Sequence, residues 1–187
     1  TFLDPCCGSG NFIIQAIKSG IHPENVFGFD LDANAVEITR KRIFEVTGFD
    51  ASQTIKKVDF LEDALMLMNK RKYNLIFTNP PWGKKIAKKE KERFAMMYGA
   101  GTSIDTTSLF YFASYNLLKK GGILGFLVQD ALFNIGTFQD TRRHILQNDI
   151  IRLVDYGKPF KGLLTKAYAF ILRKDEAQNN SVNCEDV

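Results

Sequence analysis

The stretch Phe2-Leu3-Asp4-Pro5-Cys6-Cys7-Gly8-Ser9-Gly10-Asn11-Phe12 decides the fold. An apolar start, a turn holding Gly8 and Gly10, and a helical pattern from Asn11 to Lys18 predict a strand, a tight loop and a helix. The same alternation continues outward. Val26 to Asp30 reads as a strand and Ala33 to Val46 as a helix with apolar Val36, Ile38, Ile43 and Phe44. Thr54 to Asp59 reads as a strand, Glu62 to Lys70 as a short helix and Tyr73 to Thr78 as a buried strand. After a long polar, Gly-containing loop, Thr106 to Lys119 reads as a helix ended by Gly121-Gly122. Ile123 to Val128 then reads as a strand, Thr137 to Gln147 as a helix, Ile150 to Asp155 and Lys166 to Arg173 as strands, and Gln178 to Val187 as a frayed tail. Strands separated by helical patterns argue for an α/β fold, a mostly parallel sheet with helices on both faces. One domain over residues 1–175 and a flexible tail over 176–187 are expected.

The 187 residues, 45% of them hydrophobic, can bury the core of one such domain. No run approaches the roughly 18 apolar residues of a membrane span, and no signal-peptide pattern is visible. Cys6 and Cys7 are adjacent and Cys184 lies in polar sequence, which is neither a zinc spacing nor a disulfide framework. These thiols suit a reducing cytosol and read as small buried or incidental groups. His22 and His144 are far apart and read as surface or packing residues, so no metal site is expected. The chain opens on Thr1 and enters a strand at once, so we expect elements upstream of it.

The formal net charge of +4 is concentrated. Between Lys84 and Arg93 stand Lys84, Lys85, Lys88, Lys89, Lys91 and Arg93 against Glu90 and Glu92, so the rest of the chain nets to zero. Such a run is a solvated helix or mobile loop, or a surface that faces phosphates.

In sheets of this kind the ligand sits at the carboxyl ends of the strands, near the switch in strand order. At the first such end, Gly8 and Gly10 allow a tight turn and close backbone approach to a ligand. At the second, Asp30 can take both hydroxyls of a ribose. The loop resembles a dinucleotide fingerprint, but Ile13 stands where the third glycine would be. Asp4 puts a carboxylate in the loop, which repels pyrophosphate and favours a cationic ligand; S-adenosyl-L-methionine fits. At the third strand end, Asp59 and Phe60 could hydrogen-bond an adenine amine and pack on its ring, although Asp59 also reads as a helix cap. At the fourth come Asn79-Pro80-Pro81-Trp82: an amide and carbonyls that accept both hydrogens of an exocyclic amine, beside a ring that stacks on the base carrying it.

With these residues in view, the chain resembles the amino-methylating DNA methyltransferases of the adenine-N6 type, those of restriction-modification systems above all. The resemblance spans nearly the whole chain. It implies a Rossmann-like, seven-stranded methyltransferase fold and S-adenosylmethionine contacts at Asp4, Pro5, Cys6, Gly8, Gly10, Phe12, Asp30, Leu31, Asp59, Phe60 and Asn79. It implies a catalytic turn at Asn79, Pro80, Pro81 and Trp82, and substrate contacts at Trp82, Lys84, Lys85 and Phe160. Ser108-Leu109-Phe110 and Gly121 to Val128 resemble the family's later core. Pro159-Phe160-Lys161-Gly162 resembles the segment giving a second aromatic against the flipped base, though Phe160 also reads as an ordinary packing residue. The family usually has a helix before the cofactor loop and a target-recognition domain after the last strand, neither of which falls within the chain. Trp82 stands where Tyr or Phe is more common.

The implied chemistry is direct methyl transfer to the N6 of an adenine extruded from double-stranded DNA. Implied partners are that DNA, a target-recognition domain or subunit and a nuclease domain, in a prokaryotic cytoplasm. The same turn serves cytosine-N4, guanine-N2 RNA and glutamine-amide methylation, and those readings stay open, as does a non-catalytic cofactor-binding module.

Overall fold

The computed structural model describes residues 1–158, 165–176 and 182–187. Among the described residues eight strands form one sheet: β1 (Phe2–Asp4), β2 (Val26–Asp30), β3 (Ile55–Lys57), β4 (Tyr73–Thr78), β5 (Leu118–Gln129), β6 (Asn148–Asp155), β7 (Ala167–Glu176) and β8 (Asn183–Asp186). Seven α-helices among the described residues accompany them: α1 (Asn11–Lys18), α2 (Ala33–Thr47), α3 (Phe60–Lys70), α4 (Lys88–Tyr98), α5 (Thr106–Leu117), α6 (Ala131–Asn134) and α7 (Gln139–Leu146). The strand order is β3-β2-β1-β4-β5-β7-β6-β8. β3 through β5 run parallel, and β7 lies antiparallel between β5 and β6.

Two-residue periodicity divides the core. Phe2 packs on one face with Ile13, Val26, Val36 and Ile43, under α1 and α2, with Leu75 and Phe77 against the same cluster. Leu3 and Ile76, one position on, point to the other face and meet Phe60, Leu109, Leu124 and Phe126. Helix α5 lies inside that second layer: Thr106 to Ser114 and Leu117 are all buried. Its start is fixed by Asp105, whose side chain accepts the Thr107 N–H at 2.8 Å. His144 belongs to this layer as well; Nδ1 lies 2.8 Å from the Tyr111 hydroxyl and the ring packs edge-on against Tyr115.

Four expectations change. The sheet has eight strands rather than seven, because Asn183–Asp186, in the stretch read as a frayed tail, pairs parallel with β6. The polar segment after Trp82 contains a helix, α4, anchored by buried Phe94, Ala95 and Tyr98. Helix α5 ends at Leu117 rather than at the glycines, and β5 continues through Gly121 and Gly122, where its pairing with β4 shifts register. A side chain at Gly122 would meet the Asn74 carbonyl at 2.9 Å, so that glycine serves a close strand pairing and not a helix stop. Residues 159–164, with Phe160 among them, lie outside the described residues. Among the described residues no helix is long and apolar enough to cross a membrane.

Candidate functional site

Chain order creates the site. From β1 the chain moves outward to β3, then crosses back to β4 on the other flank of β1, so the loops after β1 and β4 diverge from adjacent strand ends. A cleft of about 420 Å³ opens there, lined by Pro5, Cys6, Asp30, Leu31, Asp59, Phe60, Asn79 and Pro81, with Lys84, Lys85, Ile86 and Glu90 on the α4 side. A second hollow, about 390 Å³, is lined by Asp4, Cys6, Cys7, Gly8, Ser9, Asn11, Phe12, Asn79 and Leu127. Cys6 and Asn79 line both.

Each loop is held from several sides. The Asp30 carboxylate accepts the Gly8 N–H at 2.8 Å and the Asp32 N–H at 3.0 Å, tying the end of β2 to the glycine loop. Each ionised oxygen retains a further lone pair for a ligand hydroxyl. Gly10 is left-handed at φ 81° and caps α1. A side chain there would strike Thr39 of α2 at 2.8 Å, so this glycine is required by helix packing rather than by ligand approach. Arg42 of α2 donates to the Ser9 carbonyl and to Asn11 Oδ1. That clamp was not visible in the sequence, since it reaches across 31 residues to the loop.

Asp4 is 1% exposed. It accepts from the Thr78 hydroxyl at 2.7 Å and the Cys6 N–H at 3.2 Å. Burial outweighs these bonds and, with the Asp30 charge, raises its pKa to about 7. The carboxyl of the protein alone is therefore partly protonated near neutrality, and a cation placed beside it would favour its charged form. Burial also lifts the Cys6 thiol well above its ordinary pKa and the Cys7 thiol to about 12. The Cys6 sulfur lies 2.9 Å from the Thr78 hydroxyl and donates to the Asn79 carbonyl at 3.2 Å.

Asp59 occupies the position before α3, yet its side chain makes no capping bond and stays exposed at the cleft. Phe60 beside it is buried, its ring 5.5 Å from that of Phe110. Asn79 is exposed, Pro80 buried and Trp82 half-buried. The Trp82 indole donates to the Leu127 carbonyl of β5 at 3.4 Å. Lys84 and Lys85 line the cleft, whereas Lys88 and Lys89 lie exposed at the start of α4. Arg93 pairs with Glu62 of α3, and the Tyr98 hydroxyl donates to the Leu61 carbonyl at 2.5 Å, which closes α4 against α3. The carboxylates Asp30, Asp59, Glu62 and Glu90 outnumber the two lysines around the cleft, a lining that suits a cation and opposes a diphosphate. Among the described residues no three His, Cys, Asp or Glu side chains gather as for a metal.

Residues 24–161 match the family model of the Eco57I restriction-modification methylase. The chain is 51% identical over 174 residues to the type II methyltransferase M.VspI of Vibrio sp. (strain 343), covering 93% of this chain and 42% of that protein. It is 26% identical over 190 residues to the type II methyltransferase M.BanIII of Aneurinibacillus aneurinilyticus, covering 92% of this chain and 33% of that protein. The chain thus spans less than half the length of either relative. The fold is similar to that of a type I restriction-modification system methyltransferase subunit from Streptococcus thermophilus, with a TM-score of 0.79, 17% identity, and coverage of 99% of this chain and 41% of that one.

Proposed function

Because the chain belongs to the Eco57I restriction-modification methylase family, we propose that it takes S-adenosylmethionine as methyl donor and methylates the N6 amine of an adenine flipped out of double-stranded DNA. The observation that carries this reading is the position of Asn79, a hydrogen-bonding amide at the wall between two hollows. The cleft residues suit the donor: Asp30 for the ribose hydroxyls, Asp59 for the adenine amine, and Leu31 and Phe60 for the ring edges; Asp4, in the adjoining hollow, suits the charge of the methionine end. When bound, S-adenosylmethionine supplies an electrophilic methyl group.

The protein supplies geometry. The Asn79 side-chain oxygen and the Pro80 carbonyl accept the two amine hydrogens, which localises the nitrogen lone pair and aims it. Trp82 stacks on the extruded base, a contact worth about 1–3 kcal/mol. Holding the reacting atoms in line provides most of the remaining acceleration. No strong base is needed, because the amine proton becomes acidic as the new bond forms. Lys88 and Lys89 face DNA phosphates. Choice of the target sequence and any cleavage of DNA belong to a recognition unit and a nuclease beyond these residues, in a bacterial cytoplasm.

The test is transfer of label from S-adenosyl-[methyl-³H]methionine to DNA, with the product base identified by mass spectrometry. N6-methyladenine is the expected product. N4-methylcytosine would replace the target base, and label in RNA or protein alone would overturn the reading.

A further inference from the structure

Cys6 was expected to touch the cofactor, yet its sulfur is engaged elsewhere. It sits 2.9 Å from the Thr78 hydroxyl and 3.2 Å from the carbonyl of Asn79. Thr78 in turn donates to Asp4 at 2.7 Å. With that proton spent on Asp4, Thr78 can only accept from the thiol or leave it to the next acceptor, the Asn79 carbonyl. We propose that Cys6 is a positioning residue: its S–H holds the Asn79 carbonyl, and so fixes the peptide from which the Asn79 side chain projects.

Three observations support this. The contact joins the loop after β1 to the loop after β4, across 73 residues, at the one wall both hollows share. Asn79 is exposed, and among the described residues no hydrogen bond from its side chain restrains it, so its aim depends on its backbone. The buried surroundings keep the thiol protonated, the form that donates. A protonated thiol is also a weak nucleophile, so it does not compete for the methyl group it lies near.

The inference rests on the methyltransferase reading for its kinetic consequence but not for the bond itself, and two measurements separate them. The first compares Cys6→Ala and Cys6→Ser in methyl transfer to DNA and in calorimetric binding of S-adenosylmethionine. Cys6→Ala should lower kcat at least tenfold with cofactor affinity changed less than twofold. Cys6→Ser, which keeps a donor at that place, should recover most of the loss. An unchanged kcat in Cys6→Ala would overturn the proposal. So would a loss explained by weaker cofactor binding, which would return Cys6 to a cofactor contact. The second is the infrared S–H stretch of Cys6, isolated as the difference between the wild-type protein and Cys6→Ser. A band below the frequency of a free thiol that persists in Thr78→Val, where the other acceptor is gone, supports the bond, and a free-thiol band in either protein refutes it. If the wild-type protein transfers no methyl group to any substrate, the functional reading falls and this band alone decides the contact.

Discussion

In the proposed reaction, the Asn79 amide and the Asp4 carboxyl are the side chains whose replacement makes the sharpest predictions. On that proposal, Asn79→Ala removes a polarising contact to the reacting amine. A loss of a single preorganised group of this kind costs on the order of 10²–10³ in kcat. We expect that loss in single-turnover transfer, with the Kd for S-adenosylmethionine nearly unchanged because Asp30 and Asp59 remain. Asp4 makes a prediction about stability. Its pKa is raised to about 7 in the folded protein, so between its ordinary value and 7 the folded state binds more protons than the unfolded one. The stabilisation is complete below the unfolded pKa and is lost as pH rises through about 7. Urea unfolding should therefore show a fall of roughly 3 kcal/mol between about pH 5 and pH 8 that Asp4→Asn abolishes. His144, pushed down by burial and Lys174, works in the opposite direction, so the difference between the two proteins isolates Asp4. From sequence, Asp4, Asp30, Asp59 and Asn79 could be assigned to consecutive strand ends, because strand order fixes where those ends meet. Thr78, Arg42 and the aim of the Cys6 thiol could not, because each acts through a partner brought near only by folding.

Helix α4 shows what composition conceals at the level of elements. Its sequence, Lys88–Tyr98, is mostly charged, and only three buried residues mark its inner face, so the pattern leaves a solvated helix and a mobile loop equally open. Phe94, Ala95 and Tyr98 nevertheless dock it beside the cleft, which leaves the lysines of its first turn exposed. Lys88→Gln with Lys89→Gln should weaken DNA binding and reduce the salt slope by about 0.9 for each phosphate contact removed. Titrations at several salt concentrations measure this, and an unchanged slope would exclude α4 from the DNA interface. Strand β5 holds the second lesson. The pair Gly121-Gly122 resembles a helix stop, but Gly122 exists for the approach of the Asn74 carbonyl. Gly122→Ala should cost about 1–3 kcal/mol in thermal unfolding, since a backbone atom cannot step aside as a side chain would.

Across the whole molecule, stability should follow the sheet from its centre outward. β4 and β5 are flanked on both edges and covered by α5, whereas β8 is a fully exposed edge strand. Amides of β4 should therefore exchange with deuterium last and those of β8 first. Comparable protection of β8 would mean that its edge is covered in solution. The alternation of strands and helices from β1 to β4 was legible, because parallel strands need crossovers and crossovers here are helices. The eighth strand was not, since Asn183–Asp186 is polar apart from Cys184 and, besides an Arg152–Glu185 ion pair, joins β6 through its backbone. The wall at Cys6 and Asn79 has a consequence for steady-state kinetics. With the donor in the cleft and its methionine end beside Asp4, the exposed Asn79 still faces outward, so the second reactant can arrive while the first is in residence. Double-reciprocal plots should accordingly intersect rather than run parallel, the mark of a ternary complex in which no methylated enzyme intervenes.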